Sequence, residues 1–570
     1  MIENSIILKY SNKNINIIWK SINITPINYI NLEKLVKKNS KIKNQYINFL
    51  KKVSEIKIGN NSFRNKTKVL GKHFLYDYSF LNESSIFQTP EILSFIKILY
   101  IKKFFNSKKL KQIEINIDDG YAFDVLKKIS KKKNIKFVNY NKKKLNTFNK
   151  YYIPWFLRSF LLICNFLFIN FSYFNKKKKI KNKNIVLSYI NQPKLNNDNL
   201  KSFFWGDFEK VFKEILNKDI TWVYQDLINK KNKKDFQNLQ KENKKVIFLK
   251  NFLNFSDIIK SILLFLKFSF KLSILLSVNK KKFFHNFDNS EIYFFNNLKK
   301  SLIGFNCFQN ILKIIMIKNF VKNIKPNSNI FYLFENQSWE KILNNEISNK
   351  KINSYGVLHS LISKWDTRFH KINLTKNYLP TKILINGEYN KKILENFYSN
   401  FLKIESIRYI KYLKNKNFNK IPKKSNVIDL YGSFDDIVTE NLVKELSKSE
   451  YIKKNYYINF FPHPSSNFKN TSNIDLNYNR KKNGFVSLLP SNSSIVIDKL
   501  LENNQTIIFN YDNFHDYQKL ISNGLIFDNF RDLEFLFKKK FFKKQKLKNN
   551  FIYLNKRYNY LKNFLLNIND

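Results

Sequence analysis

The sequence predicts an α/β protein with two doubly wound parallel sheets and a further α/β unit before them. Short apolar runs that suit buried strands alternate with helix-like patterns along the chain. This alternation starts anew near residues 184 and 426. The length of 570 residues exceeds what one hydrophobic core organises, so three units are expected.

Six segments follow from these changes of pattern. They are an N-terminal accessory α/β domain (1–150), an apolar helix with a basic linker (151–183), a middle domain (184–410), a linker (411–425), a last domain (426–532) and basic C-terminal helices (533–570). The predicted strands are 6–10, 113–117 and 136–139; then 184–189, 220–223, 246–249, 329–334, 352–358 and 382–385; then 427–433, 456–461, 485–489 and 506–510.

The composition is that of a globular protein from a reducing compartment. Hydrophobic residues make up 43% of the chain and aromatic residues 16%, which is ample core material. Cys164 and Cys307 are too few for a disulfide framework or a zinc site. The first residues lack the pattern of a signal peptide, so a cytoplasmic location is expected.

The formal charge of +59 suggests a polyanionic partner. The cations are nearly all Lys and are scattered among frequent Asn, Ile and Phe, which indicates AT-rich codon usage. Base recognition favours Arg, and no nucleic-acid-binding motif is present. We therefore expect no nucleic-acid partner and instead an anionic membrane surface.

Two apolar segments, residues 153–174 and 258–278, are candidates for contact with a membrane. Each is about as long as a bilayer span, and each is interrupted by polar residues. An interfacial helix, a packed core helix and a spanning helix all fit the first segment. Together with the basic C-terminal helices, it predicts peripheral attachment to the inner face of the cytoplasmic membrane.

Candidate ligand-binding residues follow the predicted strands of the last domain. His463 stands between two prolines at the end of one strand, and Ser493 and Ser494 stand between the next strand and a helix. The carboxyl ends of parallel strands are where nucleotides bind in such sheets. Hydroxyls beside a helix N-terminus suit a phosphate, although a capping pair and a structural histidine are the plainer alternatives.

Three further residues belong to the same predicted site. Asp498 lies one turn into the helix after Ser494, where its carboxylate could accept hydrogen bonds from a ribose. Gly432 and Ser433 end the first strand of this domain, and we assign them to the nucleotide site as well.

This arrangement resembles the His-Pro and Ser-Ser motifs of bacterial sialyltransferases and polysialyltransferases. The order strand, Ser-Ser, helix, acid, strand is also similar to that of GT-B glycosyltransferases. The resemblance covers about residues 427–510 closely. It implies that His463, Ser493 and Ser494 contact a nucleotide phosphate. It also implies a pair of Rossmann-type domains, with the acceptor side in 184–410 and the donor-nucleotide side in 426–532.

A second likeness lies upstream. Glu335 follows one predicted strand, Gly356 and His359 end the next, and Pro380 precedes an Asn386-Gly387 pair. This order resembles a family of surface-carbohydrate biosynthesis proteins related to capsule and lipopolysaccharide transferases. The likeness extends loosely from about residue 63 to residue 510.

Three residues compete for the role of catalytic base. Asp119 lies in an Asp-Asp-Gly sequence that resembles the acidic motif of sialyltransferases, whose second acid is the base, although an N-cap aspartate is the plainer alternative. Asp119 precedes the middle domain by roughly 65 residues, whereas Glu335 ends a strand within that domain, with His359 on a nearby strand. We therefore favour Glu335, with His359 supporting the acceptor or the donor phosphate.

The sequence thus predicts a glycosyltransferase that uses a nucleotide sugar, with a CMP-linked acidic sugar favoured, and a glycan or glycolipid acceptor. No metal or other cofactor is expected, because neither an Asp-x-Asp in a suitable setting nor a histidine cluster is present. P-loop, dinucleotide-binding and nucleophile-elbow motifs are absent from the sequence. The alternative is a non-catalytic scaffold protein of a surface-polysaccharide assembly complex.

Overall fold

The computed structural model describes residues 5–11, 13–19, 29–32, 35–36, 39–79, 90–105, 109–140, 155–170, 179–190, 203–226, 247–279, 282–283, 291–363, 365–370, 376–409, 426–433, 436–463, 466, 468–470, 472–478, 484, 486–491, 493, 495–502, 505–509, 525–527, 530–539, 551–555 and 557–568. They form a mixed α/β protein with two parallel sheets and one mixed sheet. The predicted α/β class is confirmed.

The N-terminal domain is built on a five-stranded mixed sheet. In chain order its elements are β1 (Ser5–Tyr10), β2 (Asn14–Ile18), β3 (Tyr29–Asn31), α1 (Ser40–Glu55), β4 (Lys57–Ile58), β5 (Asn61–Ser62), α2 (Phe63–Lys66), β6 (Lys68–Val69), β7 (His73–Phe74), α3 (Pro90–Phe105), β8 (Leu110–Asn116), α4 (Gly120–Lys132) and β9 (Lys136–Asn139). The sheet order is β3-β2-β1-β8-β9, and β1 runs antiparallel to both of its neighbours.

The middle domain contains a seven-stranded parallel sheet. Its elements are α5 (Trp155–Asn170), β10 (Asn184–Ile190), α6 (Phe208–Leu216), β11 (Ile220–Asp226), β12 (Ile247–Phe248), α7 (Phe255–Val278), α8 (Glu291–Leu302), α9 (Phe305–Lys322), β13 (Ser328–Leu333), α10 (Ser338–Ile347), β14 (Ile352–Val357), β15 (Lys382–Ile385), α11 (Glu388–Leu394) and β16 (Phe401–Lys403). The order β12-β11-β10-β13-β14-β15-β16 reverses direction between β10 and β13. Ligands bind at such a switch point in open parallel sheets.

Strand β13 shows why this sheet is covered on both faces. Ile330 and Tyr332 are fully buried in one hydrophobic core, whereas Phe331 and Leu333 are buried in another. Successive side chains of a strand point to opposite faces, so an unbroken apolar run fills two cores at once.

The last domain contains a five-stranded parallel sheet. Its elements are β17 (Val427–Tyr431), α12 (Asp436–Ser447), α13 (Glu450–Asn455), β18 (Tyr457–Phe461), β19 (Val486–Pro490), α14 (Ile495–Leu501), β20 (Gln505–Phe509), β21 (Leu525–Phe527) and α15 (Phe530–Lys539). The order β18-β17-β19-β20-β21 places the switch point between β17 and β19. Both doubly wound orders are those of nucleotide-binding sheets.

The C-terminal residues divide between two domains. Leu533 and Phe537 of α15 are buried in the core of the last domain. By contrast, α16 (Asn559–Leu566) packs on the middle domain, where the Phe564 ring lies 5.1 Å from the Tyr355 ring. The buried Glu405 carboxylate accepts hydrogen bonds from two backbone N–H groups at the start of α16, at 2.8 and 2.9 Å. Residues 540–550 of the predicted basic C-terminal segment lie outside the described residues.

Candidate functional site

The middle sheet places Glu335 and His359 at one edge. Strands β13 and β14 are parallel neighbours with Leu333 opposite Val357, and each candidate follows its strand by two residues. The Nε2 atom of His359 lies 3.4 Å from Oε1 of Glu335. The predicted proximity of these two residues is therefore observed.

Arg368 completes this group. Its Nη1 atom lies 3.6 Å from Oε2 of Glu335. The guanidinium is fixed from the other side by Asp366, which accepts hydrogen bonds from Nε and from Nη2, the latter at 2.7 Å. The Gln337 amide also donates a hydrogen bond to the Glu335 carboxylate. Glu335 is about a quarter exposed, so it is held in place yet accessible.

A second, buried carboxylate orients the Glu335 backbone. Both oxygens of Glu340, at the start of α10, accept hydrogen bonds from the N–H of Glu335, and one also accepts from the N–H of Asn336 at 2.9 Å. Asn336 adopts a left-handed φ of 55°, a conformation that Asn tolerates better than most residues. Burial and the neighbouring Glu335 raise the pKa of Glu340 well above its ordinary value.

His359 is a neutral imidazole at physiological pH. Burial lowers its pKa to about 4, and the cations of Arg408 and Arg368 act in the same direction, whereas Glu335 opposes them. Its Nδ1 atom and Nη1 of Arg368 are buried and have no hydrogen-bond partner among the described residues. The Nδ1 atom can therefore serve a ligand, because an imidazole nitrogen is costly to bury unpaired, whereas Nη1 keeps its ion pair with Glu335 at 3.6 Å.

Acid is expected to destabilise the parent protein more than a His359→Gln variant. The folded-state pKa of about 4 lies below the ordinary 6.5, so between these values the unfolded chain binds a proton that the folded protein does not. The contribution of neutral His359 is complete above pH 6.5 and is lost as the pH falls towards 4. From about pH 7.5 to about pH 5 this loss amounts to about 2 kcal/mol.

Thermal melting of both proteins at the two pH values measures this difference. The variant retains the other titrating groups, so the comparison isolates His359. An identical pH dependence in parent and variant would contradict the assignment of a depressed pKa to this residue.

An ion pair joins the middle and last domains beside His359. Nη2 of Arg408, which follows β16, lies 2.6 Å from Oδ2 of Asp498 in α14, and both residues are buried. The Phe204 ring contacts both groups, since its centroid is 4.9 Å from the His359 ring and 5.6 Å from the Arg408 guanidinium. The Glu335 cluster and the start of α14 are thereby brought into one region.

Two loops of the last domain meet at its carboxyl edge. The N–H of Gly432, after β17, donates to the Phe461 carbonyl at 2.9 Å. A Cβ atom at Gly432 would lie only 3.3 Å from the backbone nitrogen of His463, so glycine allows this close approach. The N–H of Ser433 donates to the Thr439 hydroxyl at 2.9 Å. His463 is half-buried, and burial lowers its pKa.

The serine segment follows the neighbouring strand β19. The N–H of Ser491 donates to the Phe509 carbonyl at 2.8 Å, and the Ser493 carbonyl accepts from the N–H of Val496 as α14 begins. Ser493 is half-buried, whereas Ser494 lies outside the described residues. The Asp498 carboxylate is already paired with Arg408, so its predicted contact with a ribose remains a prediction.

Asp119 occupies a different sheet. It is the N-cap of α4, and its Oδ1 accepts a hydrogen bond from the N–H of Ala122 at 3.0 Å. The strand before it, β8, belongs to the N-terminal sheet. The structure therefore shows the capping role that the sequence left open, and it does not bring Asp119 into the sheet that carries Glu335 and His359.

Sequence reasoning missed Arg368 and Arg408. Only seven of the 102 basic residues are arginine, in a chain whose codon usage favours lysine. Retained arginines therefore mark positions that require a planar guanidinium. Both of these are buried and lie close enough to His359 to affect its charge.

No protein-family model matches this chain, and no curated protein sequence matches it significantly. Across the part of the chain that the structure describes, no group of three or more His, Cys, Asp or Glu residues is placed to hold a metal ion.

Proposed function

We propose that the protein is a GT-B-like glycosyltransferase that binds a nucleotide sugar between its two parallel sheets. The observation that carries this proposal is the Arg408–Asp498 pair, which links the helix after the serine segment to the edge that bears Glu335 and His359. A donor phosphate at the last sheet and an acceptor at the middle sheet would then approach each other.

The chemistry assigned to the site is a displacement at the anomeric carbon. Glu335 removes the proton from an acceptor hydroxyl, and the oxygen forms a bond to that carbon. The bond from the carbon to the nucleotide phosphate breaks, and the electron pair leaves with the phosphate. Arg368 and His359, which lie 3.6 and 3.4 Å from the Glu335 carboxylate, are the groups that we assign to the leaving anion or the acceptor. No metal ion takes part in this scheme.

The donor and acceptor follow from the motifs rather than from the geometry. The likeness of His463, Ser493 and Ser494 to sialyltransferase motifs favours a CMP-linked acidic sugar. The order of the Glu335 and His359 segments favours a surface glycan or glycolipid as acceptor, and the proposal puts the reaction at the cytoplasmic side of the membrane.

A thermal-shift panel with CMP, UDP, GDP and CDP tests this function. A ligand that binds only the folded protein raises its melting temperature, and we expect CMP to give the largest rise. A rise with another nucleotide would support nucleotide binding and correct the donor. No rise with any of the four, at concentrations up to about a hundred times a typical micromolar Kd, would favour the non-catalytic scaffold.

A further inference from the structure

Helices α5 and α7 lie side by side on α9. The Phe308 ring of α9 contacts the Phe166 ring of α5 at 6.0 Å and the Phe265 ring of α7 at 6.1 Å. Next to the start of α7, Lys250 donates a hydrogen bond to Asn170, the last residue of α5, at 2.6 Å. Helices α5 and α7 are therefore both packed on α9.

The two helices run in opposite directions. Ser159, near the start of α5, lies beside the turn at Gly304, where a Cβ atom would be 3.8 Å from its hydroxyl. In the same turn, the Ile303 carbonyl accepts a hydrogen bond at 2.8 Å from Ser269, in the second half of α7. The start of α5 is thus near the later part of α7, and the end of α5 is near the start of α7.

The outer faces of both helices are apolar. On α7, exposed side chains recur every three or four residues along the whole helix, which is about 36 Å long: Phe255 (53% exposed), Ile259 (45%), Leu263 (62%), Leu266 (38%), Phe270 (70%), Ile274 (49%) and Val278 (76%). On α5, the exposed apolar side chains are Phe160, Leu161, Leu162 and Phe168. We call these residues together the apolar face. A row of this extent marks an interaction surface.

Basic side chains border this face. Lys260, Lys267 and Lys271 of α7 are exposed, and their helical positions place them along one side of its apolar row. The one acidic residue of α7, Asp257, accepts hydrogen bonds from Asn254 and Asn319. The sequence of α5 contains no acidic residue. The charge at this face therefore suits an anionic partner.

We propose that the apolar face docks in the plane of an anionic lipid bilayer. Its Phe and Leu side chains would enter the headgroup boundary, and the lysines would extend to lipid phosphates. Compared with the sequence-based expectation, this moves the membrane contact to α7 together with α5.

The opposite side of α7 argues against a spanning orientation. Among the described residues, α7 is the one helix long and apolar enough to cross a membrane. However, Phe265, Leu272 and Leu276 are buried in the core, and the Ser269 hydroxyl is bonded to the turn before α9. Spanning would require α7 to separate from that core.

The positive charge beside the apolar face also argues against a second copy of the chain as its binding partner. A symmetric contact places the same surface on both partners, so the lysine rows of two copies would approach each other. The net charge of +59 adds further repulsion. An anionic bilayer relieves this repulsion instead.

Vesicle co-sedimentation of the full-length protein tests the proposal. Vesicles of phosphatidylglycerol and phosphatidylcholine should bind it, and salt should weaken the binding. Leu263→Ser with Phe270→Ser should weaken binding by about tenfold or more, because burying one large apolar side chain is worth at least that factor. The matched control, Tyr457→Ser with Leu566→Ser, changes exposed residues elsewhere and should bind as the parent does.

The contribution of the α7 lysines to vesicle binding is tested in the same assay. Changing Lys260, Lys267 and Lys271 to Gln should weaken binding by about a hundredfold, since each lysine near an anionic surface contributes about 1 kcal/mol, whereas changing the exposed Lys127, Lys128 and Lys131 of α4 to Gln should have little effect. Unchanged thermal melting and nucleotide binding in each variant would show that the fold and the proposed catalytic region are intact.

Three results would overturn the proposal. The first is vesicle binding that is absent in the parent or unaffected by the Leu263 and Phe270 changes. The second is concentration-dependent dimerisation, measured by ultracentrifugation, that these two changes abolish. The third is retention in cell membranes after an alkaline carbonate wash, which indicates a spanning helix.

Discussion

Glu335→Gln is expected to lower the rate of sugar transfer by about a hundredfold or more, the order that general-base catalysis contributes. The amide keeps nearly the same volume and still bonds to its neighbours, but it cannot accept the proton of the acceptor hydroxyl. Nucleotide binding should stay unchanged, because Glu335 follows a strand of the middle sheet whereas His463 and the serines follow strands of the last one. The measurement is CMP release from a CMP-linked acidic sugar in the presence of an extracted surface-glycan acceptor.

Asp119→Asn is the matched control for this prediction. Asn also accepts hydrogen bonds at an N-cap, so the start of α4 should be preserved and turnover should remain near that of the parent. The opposite result, with an active Glu335→Gln and an inactive Asp119→Asn that still binds nucleotide, would assign the base to the N-terminal domain.

The two parallel sheets were largely predictable because their central strands are buried on both faces. Apolar runs such as residues 330–333 of β13 differ from the amphipathic helices between the strands, and the predicted strand at residues 382–385 coincides with β15. The bounds of most of the other predicted strands differ by a few residues, since strand ends depend on neighbouring strands, and the short strands β2, β3, β16 and β21 were not predicted. The return of α16 to the middle domain was not predicted, because it depends on contacts with Glu405 and Tyr355, which are distant in sequence.

The site was predictable only where residues follow strands directly. Glu335 and His359 could be paired from the sequence because β13 and β14 are neighbours in a parallel sheet. Arg368 reaches Glu335 from a loop, and Arg408 lies near His359 while it forms an ion pair with the last domain. Neither arginine belongs to a sequence pattern that predicts this position. Asp498 shows the same limit, since its spacing from the serines predicts a ligand contact, whereas its ion pair with the distant Arg408 has no signal in the local sequence.

The apolar segments show a different limit. Hydropathy located α5 and α7, but both faces of α7 are apolar in sequence. Only the packing on α9 distinguishes the buried Phe265 from the exposed Phe270. The hydrophobic periodicity of these segments therefore cannot distinguish a core helix from an interfacial or a spanning helix.

Loss of nucleotide binding is the other large effect expected. His463→Ala and the double change Ser493→Ala with Ser494→Ala should each weaken nucleotide binding by at least about a hundredfold, because each removes hydrogen bonds to a charged phosphate. These residues follow strand ends, where side chains serve ligands more than the core, so folding should be preserved. The matched control, Ser447→Ala with Asn455→Ala, lies at the opposite edge of the same sheet.

The central claim, that the last domain seats a nucleotide phosphate at its carboxyl edge, is tested most directly by calorimetric titration of these variants. The nucleotide that most raises the parent's melting temperature is the ligand to use. We expect measurable binding in the parent and the control variant, and none at the same concentrations in the His463 and serine variants. Equal affinity in all four proteins would contradict it.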